Sequence, residues 1–262
     1  MKKVIGLSIV LLIFVALNSC STNGSANSNN SNGNGKLSKI VIQSSNGNVS
    51  LNFSYNSNGN FIRYYSSDAS GSRIFEEWTY TRNSNEKIVG IYFKNTSQNY
   101  SEYTNYNLNS NGEYISSIKT PSNQFANRDS VVYHYNNGKI SQTETYTSYN
   151  LGAWVLDYKE RYNYDNNYNM LSIDRLNNSN QWNNYKTFTY DSNPSAVDWN
   201  DDVLEITNSL GIHNNTLTES TSSYNFTFSY TYGSNNRPNS ASVLRTYTSS
   251  PTQTENWQYY YE

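Results

Sequence analysis

The segment VVYHYNNGKISQTETYT, from Val131 to Thr147, contains two runs in which aromatic or apolar side chains alternate with polar ones. The two runs are joined by Asn-Asn-Gly. Alternation with a period of two is typical of a β-strand with one buried face. Asn and Gly tolerate the positive φ angles that a tight hairpin turn requires. The segment therefore predicts a β-hairpin.

The same unit, an aromatic residue followed by a turn rich in Asn, Gly or Asp, recurs along the chain. Its tyrosines lie 25 to 29 residues apart with one longer gap of 42, at Tyr55, Tyr80, Tyr106, Tyr135, Tyr164, Tyr190 and Tyr232. Each interval holds two strands, a tight turn and a looser connection. We expect an all-β antiparallel meander of about 14 to 16 strands. It should roll into a barrel-like or strongly curved sheet, because an uncovered aromatic face would aggregate.

Tyrosine dominates the composition and predicts an aromatic core. The chain has 26 tyrosines among 262 residues and only 35% hydrophobic residues. In YNFTFSYTY, from Tyr224 to Tyr232, every second residue is aromatic and the residues between are Asn, Thr and Ser. Rings should therefore share one face, and each buried hydroxyl needs a hydrogen-bond partner. The net charge is −2 with no basic run beyond the first residues, which argues against nucleic acid as a partner.

One segment, DWNDDVLEITNSLG from Asp198 to Gly211, departs from the strand pattern. Its apolar residues keep helical spacing, Asp201 and Asp202 suit a helix start and Gly211 suits its end, so we predict one short helix near 201–210. Asp198, Asp201 and Asp202 are also candidate calcium ligands. Helix capping is the simpler interpretation, because the spacing lacks the glycine-containing loop of a calcium motif.

The start of the chain has the pattern of an export signal. Residues 1–19 contain Lys2-Lys3, an apolar run that ends at Leu17 and small residues before Cys20. This pattern predicts a secretory signal peptide, too short for an ordinary membrane span. Residues 20–36 add an Asn/Ser/Gly-rich stretch that can bury almost nothing and predicts a flexible tether. The folded Tyr-rich domain should then span 37–262.

The sequence LNSC that ends at Cys20 resembles the lipobox of bacterial lipoproteins. That resemblance implies acyl chains on Cys20, so the predicted partner is a membrane reached through the N-terminal lipid. The repeats YNYDNNYNMLSIDR and FTYDSN resemble the YD-type repeats of Bacteroidota lipoproteins. The layout of residues 37–262 is similar to an uncharacterised lipoprotein family described as porin-like in fold. Taken together these resemblances imply an outer-membrane location, with the periplasmic or cell-surface face left open, and they supply no catalytic residues.

No catalytic motif is present, and we predict a non-enzymatic envelope protein, binding or structural, without a cofactor. His134 points away from the rings beside it and His213 lies in a predicted loop, so neither suggests a metal site. Trp154 and Trp182 stand among polar turn residues and are the candidate contacts for a glycan, although tryptophans in such a sheet are more often core. The ligand could also be an envelope protein. The alternative function is a polysaccharide-active enzyme whose carboxylates come from separate hairpins.

Overall fold

The computed structural model describes residues 35–123, 127–196 and 214–262, and within them sixteen strands form a closed antiparallel barrel. Each strand pairs with its neighbours in the chain, and the first strand pairs with the last. The strands are β1 (Leu37–Ser44), β2 (Gly47–Tyr55), β3 (Phe61–Asp68), β4 (Ile74–Arg82), β5 (Ile88–Asn95), β6 (Tyr100–Leu108), β7 (Tyr114–Pro121), β8 (Arg128–Asn136), β9 (Lys139–Ser148), β10 (Trp154–Tyr164), β11 (Met170–Leu176), β12 (Trp182–Pro194), β13 (Asn214–Ser220), β14 (Tyr224–Tyr232), β15 (Pro238–Tyr247) and β16 (Gln253–Tyr261).

The predicted all-β antiparallel barrel is confirmed. One 3-10 turn, Tyr149–Leu151, joins β9 to β10. The helix predicted near 201–210 lies outside the described residues. In the part of the chain that the structure describes, no helix has the length and apolar character needed to cross a membrane.

The two ends of the barrel differ, and we name them by the termini. At the terminal end β1 begins, β16 ends, and each even-numbered strand turns into the next odd-numbered one. At the far end each odd-numbered strand turns into the next even-numbered one. The chain therefore enters and leaves the barrel at the same end.

The aromatic rings lie on the inner face of the barrel. Along β14, Phe226 and Phe228 are buried, whereas Asn225, Ser229 and Thr231 between the rings are exposed. No second layer covers the outside of the barrel among the described residues, so the buried face is the inner one. The alternation predicted for this strand is confirmed, because strand side chains with a period of two point to opposite faces.

The first inward residue of most odd-numbered strands plugs the terminal end. These residues are large and almost fully buried: Leu37, Phe61, Ile88, Tyr114, Ile140 and Met170. Rings from neighbouring strands pack on them, as where Phe61 lies 5.0 Å from Tyr80 and 5.8 Å from Tyr55 between ring centroids. The plug explains why a chain poor in aliphatic residues can still build a core.

Several tyrosine hydroxyls at the terminal end donate hydrogen bonds to backbone carbonyls. In several hairpins a tyrosine near the end of an even-numbered strand donates to the carbonyl at the start of the preceding odd-numbered strand. The donor and acceptor pairs are Tyr55 and Leu37 at 3.0 Å, Tyr164 and Ile140 at 2.9 Å, Tyr190 and Met170 at 2.7 Å, and Tyr261 and Pro238 at 2.8 Å. Three of the repeated tyrosines, Tyr55, Tyr164 and Tyr190, therefore each link adjacent strands as a clasp.

Several turns at the terminal end are built around one Asn or Asp side chain. In the turn after β2, Asn56 Oδ1 accepts the backbone N–H groups of Asn58 at 3.0 Å and Asn60 at 2.8 Å. Asp165 uses the same pattern after β10. The fourth turn residue has a positive φ, as in Gly112 (φ 80°) after Asn109. Asn and Asp are interchangeable at the first position because both supply the same oxygen.

Candidate functional site

A belt of charged side chains lines the lumen between the aromatic plug and the far end. Its members are Glu76, Glu102, Lys119, Asp129, Glu160, Arg175, Lys186, Glu219, Arg245 and Glu255, and the strand register places them on the aromatic face. Glu102, for example, lies opposite Phe93, and Arg245 lies opposite Phe226. Ion pairs between adjacent strands of the belt include Glu160–Arg175 at 2.6 Å, Glu219–Lys186 at 2.7 Å and Glu255–Arg245 at 3.1 Å.

Lys119 on β7 joins two carboxylates that come from separate hairpins. Its Nζ lies 2.7 Å from Asp129 on β8 and 3.9 Å from Glu102 on β6. Burial alone would lower the pKa of Lys119, but the two carboxylates raise it above its ordinary value. Tyr100 donates a hydrogen bond of 2.5 Å to Glu102. The lumen thus holds two acids close together with an ammonium between them.

Arg175 is held between two tyrosine rings of the same belt. Its guanidinium carbon lies 4.2 Å from the ring centroid of Tyr158 and 3.9 Å from that of Tyr185. Such stacking is favourable for the planar guanidinium. The guanidinium of Arg175 therefore stacks between the two rings and also pairs with Glu160.

Glu76 is the belt acid that forms no ion pair within the described residues. It lies opposite Ser66 and Asn95, and the Asn95 side-chain amide donates to its carboxylate at 2.8 Å. Burial raises the pKa of Glu76 above its ordinary value, and the hydrogen bond from Asn95 opposes that rise. Ser66 is fully buried beside it.

The two tryptophans predicted as ligand contacts lie on the outer wall and are not brought together. Trp154 begins β10 and is 39% exposed, with the guanidinium of Arg128 5.3 Å from its ring. Trp182 begins β12 and is only partly exposed, because Arg161 lies 5.0 Å over its ring. Asn183 and Asn184 beside it are exposed. Both rings follow far-end connections, and their role in binding stays a prediction.

A run of exposed apolar residues surrounds Trp154 and was not anticipated from the sequence. Tyr149 and Leu151 in the 3-10 turn, and Val155 and Leu156 after Trp154, are all exposed. The signal was present in SYNLGAWVLDY, where apolar residues fall on consecutive positions instead of alternating. Exposed apolar patches of this kind mark interaction surfaces more often than isolated exposed residues do.

The remaining predicted sites fall partly outside the described residues. Cys20, the Asp198, Asp201 and Asp202 cluster and His213 all do. His134 lies on the outer wall with its ring 3.8 Å from Glu144, on the face opposite the neighbouring tyrosines as expected. Within the three described ranges, no group of three His, Cys, Asp or Glu side chains is arranged to hold a metal ion.

Comparison with known proteins supports the fold. No protein-family model matches the chain, and no curated protein matches it. Among solved structures, a porin-like protein from Bacteroides uniformis is 16% identical with a TM-score of 0.52, over 86% of this chain and 96% of that one. A porin-like protein from Bacteroides vulgatus is 12% identical with a TM-score of 0.42, over 87% of this chain and 99% of that one. The first likeness agrees with the expected porin-like fold and carries the fold alone.

Proposed function

We propose that the protein is a lipid-anchored, non-enzymatic cell-envelope protein that binds a ligand with its outer wall near the far end. The observation that carries this proposal is the orientation of the barrel faces. A pore in an outer membrane directs an apolar band outward and keeps polar residues inside. This barrel does the reverse, with rings inside and a wall that carries ion pairs such as Arg161–Asp174 at 2.8 Å and Lys159–Glu144 at 2.6 Å. Such a wall is suited to water.

The position of the terminal end supports the anchor. β1 begins at Leu37, next to the predicted tether, so an acylated Cys20 would hold the terminal end toward a membrane. The far end, with Trp154 and Trp182, would then point away from the lipid. Both the periplasmic and the cell-surface face of the outer membrane fit this arrangement.

The anchor is tested by metabolic labelling with a fatty-acid analogue. Cys20→Ala should abolish the label and leave the protein soluble or unprocessed, and an unchanged label would mean that the lipobox interpretation is wrong. The orientation is tested separately with a chain that lacks residues 1–20. It should stay monomeric without detergent, whereas aggregation that only detergent prevents would favour a membrane pore.

The ligand is tested on a glycan array with the same chain. An exposed indole stacks on the C–H face of a sugar while a neighbouring amide takes its hydroxyls, and Trp182 with Asn184 on the same face of β12 has this composition. Trp182→Ala should abolish any hit without unfolding the protein. Hits that survive both Trp182→Ala and Trp154→Ala would remove the tryptophans from the proposed site.

A polysaccharide-active enzyme is the second candidate, and one observation favours it. Glu102 and Asp129 come from different hairpins and meet at Lys119 in the lumen, as the carboxylates of a glycosidase would. However, Lys119 occupies the space between them, where such an enzyme places the glycosidic bond. A product assay on any glycan hit decides: products that disappear in Glu102→Gln would establish the enzyme.

A further inference from the structure

We infer that residues 154–157 of β10 form an open strand edge that takes up an extended segment of a partner protein by β-strand addition. The inference rests on the proposed function, in which the far end is the binding end. It names the partner for the surface around Trp154 as a polypeptide strand.

The register defines the edge. Toward β9, Trp154 lies opposite Ser148, Val155 opposite Thr147 and Leu156 opposite Tyr146. Toward β11, the ladder of β10 begins only at Glu160, opposite Arg175. Within the described ranges, Trp154, Val155 and Leu156 therefore have a neighbouring strand on one side only, and Asp157 follows them at a bulge where it lies opposite no residue of β9. Backbone groups on the open side of a strand are a template for another strand.

Three of the four side chains along this edge are apolar, and the fourth, Asp157, is exposed at the bulge that ends the apolar stretch. Trp154 is 39% exposed, Val155 54% and Leu156 44%. Natural barrels close to remove edges, and they protect those that remain with charged or polar residues.

Among the described residues, the start of β12 is a second step in the wall, meaning a stretch of strand with a neighbouring strand on one side only, and it can be compared with the start of β10. The ladder between β12 and β13 begins at Thr187, which leaves the start of β12 with one neighbour. The stretch reads Trp182, Asn183, Asn184, Tyr185 and Lys186, so polar residues separate its two rings, whereas the apolar residues at the start of β10 are consecutive. The two steps thus differ in chemistry, and only the one on β10 is suited to accept an apolar strand.

The connection before β10 holds the edge in place. Asn150 and Leu151 have positive φ angles of 49° and 61°, which cost energy in residues other than glycine. The turn is fixed by a hydrogen bond from Gly152 N–H to the Tyr149 carbonyl at 2.9 Å and one from Ser148 Oγ to the Gly152 carbonyl at 2.8 Å. An edge that is already ordered loses less entropy when a partner binds.

A partner segment fits this edge better than a second copy of the chain does. β10 runs from the far end toward the terminal end, and two copies anchored in one membrane would present it in the same direction. Their edges would meet in parallel, whereas a two-fold pair of identical strands is antiparallel. A free segment can bind in either direction. Because Val155 and Leu156 face opposite sides, we expect a partner strand with apolar residues on both faces.

The test uses the chain that lacks residues 1–20 and a labelled peptide, acetyl-KTVVTVVTK-amide, which as a strand presents valines on both faces. The control peptide carries N-methyl groups on alternate residues, which block backbone pairing on one edge. Leu156→Lys is the test variant. Leu244→Lys is the matched control, because Leu244 is 43% exposed and lies on β15, which pairs with strands on both sides at that residue. Fluorescence anisotropy measures affinity, and amide hydrogen exchange measures protection.

The unmodified peptide should bind, and the N-methylated one should not. Leu156→Lys should weaken binding by about tenfold or more, a loss that Leu244→Lys should not share. Exchange of the amides at 154–157 should slow in the complex. Failure to bind at ~1 mM peptide, or equal binding by the two lysine variants, would overturn the inference. A concentration-dependent dimer that Leu156→Lys abolishes would also overturn it and assign the edge to a second copy. Cys20 labelling and the Trp182 glycan hits report on the proposed function independently of these outcomes.

Discussion

Replacing one tryptophan inside the barrel and one outside it measures which face is the core. Trp78 on β4 lies in the lumen, where its ring centroid is 4.9 Å from Tyr64 and 4.7 Å from Phe93. Truncating such a packed ring to Ala costs about 3 to 5 kcal/mol. In a domain of this size 1 kcal/mol shifts Tm by roughly 2 to 4 °C, so Trp78→Ala should lower Tm by about 6 to 20 °C.

Trp154→Ala is the matched change on the outer wall. The ring is 39% exposed and stacks on Arg128, a contact worth about 0.5 to 1 kcal/mol at an exposed site. The expected fall in Tm is therefore about 4 °C or less.

Thermal unfolding followed by near-ultraviolet circular dichroism gives both values, and urea unfolding at 25 °C checks them. Equal losses for the two variants would refute the assignment of the aromatic face to the lumen. A large loss for Trp154→Ala alone would place that ring in a core and remove it from the proposed binding surface.

Three further substitutions test the lumen and the turns. Burial raises the pKa of Glu76, so its ionisation opposes folding, and Glu76→Gln should raise Tm at pH 7. Measured as a function of pH, this gain in Tm should vanish as the pH falls below the ordinary glutamate pKa of 4.5 that applies in the unfolded chain. Hydrogen bonds from three asparagine amides lower the pKa of Glu86, so Glu86→Gln should lower Tm at pH 7, and the loss should fade as the pH falls through that lowered pKa. A Cβ at Gly112 would meet nothing within 4 Å, and its φ is 80°, so Gly112→Ala should cost only the left-handed penalty of about 1 kcal/mol in urea unfolding; a null effect would contradict the turn geometry.

The hairpins could be predicted because their signals are local. Alternation in a run such as Tyr224 to Tyr232 and a turn such as Asn137-Gly138 each act within about ten residues. The order of strands then follows, since neighbours in a meander pair with one another. Closure of the sheet into a barrel was harder to predict. It depends on pairs between β1 and β16, such as Leu37 with Tyr261, which no nearby part of the sequence specifies. An open curved sheet would have shown the same pattern.

The charged residues of the belt were not predicted to face the lumen, although their positions in the strand alternation indicate that face. Glu102 follows Tyr100 by two residues and precedes Tyr106 by four, so the alternation already places it on the ring face. Charged residues are usually exposed to solvent, and that general expectation was given more weight than their position in the alternation. In the lumen they are retained because each strand offers a partner on the next, as Lys119 does for Asp129. Whether those partners exist depends on closure and register, which composition does not encode.

The repeat divides the barrel into a fixed end and a variable end. Several units repeat a tyrosine, an Asn- or Asp-based turn and a large first residue of the next strand at the terminal end. Changes there would break the clasps or the plug. The far-end connections are more varied, and range from the two residues between β1 and β2, through turns based on Asp68 and Asn177, to the 3-10 turn before β10. Loops on a rigid scaffold are where binding residues concentrate. Trp154 and Trp182 each begin a strand directly after such a connection, so under the proposed function the far end is where a change of ligand would leave the fold intact.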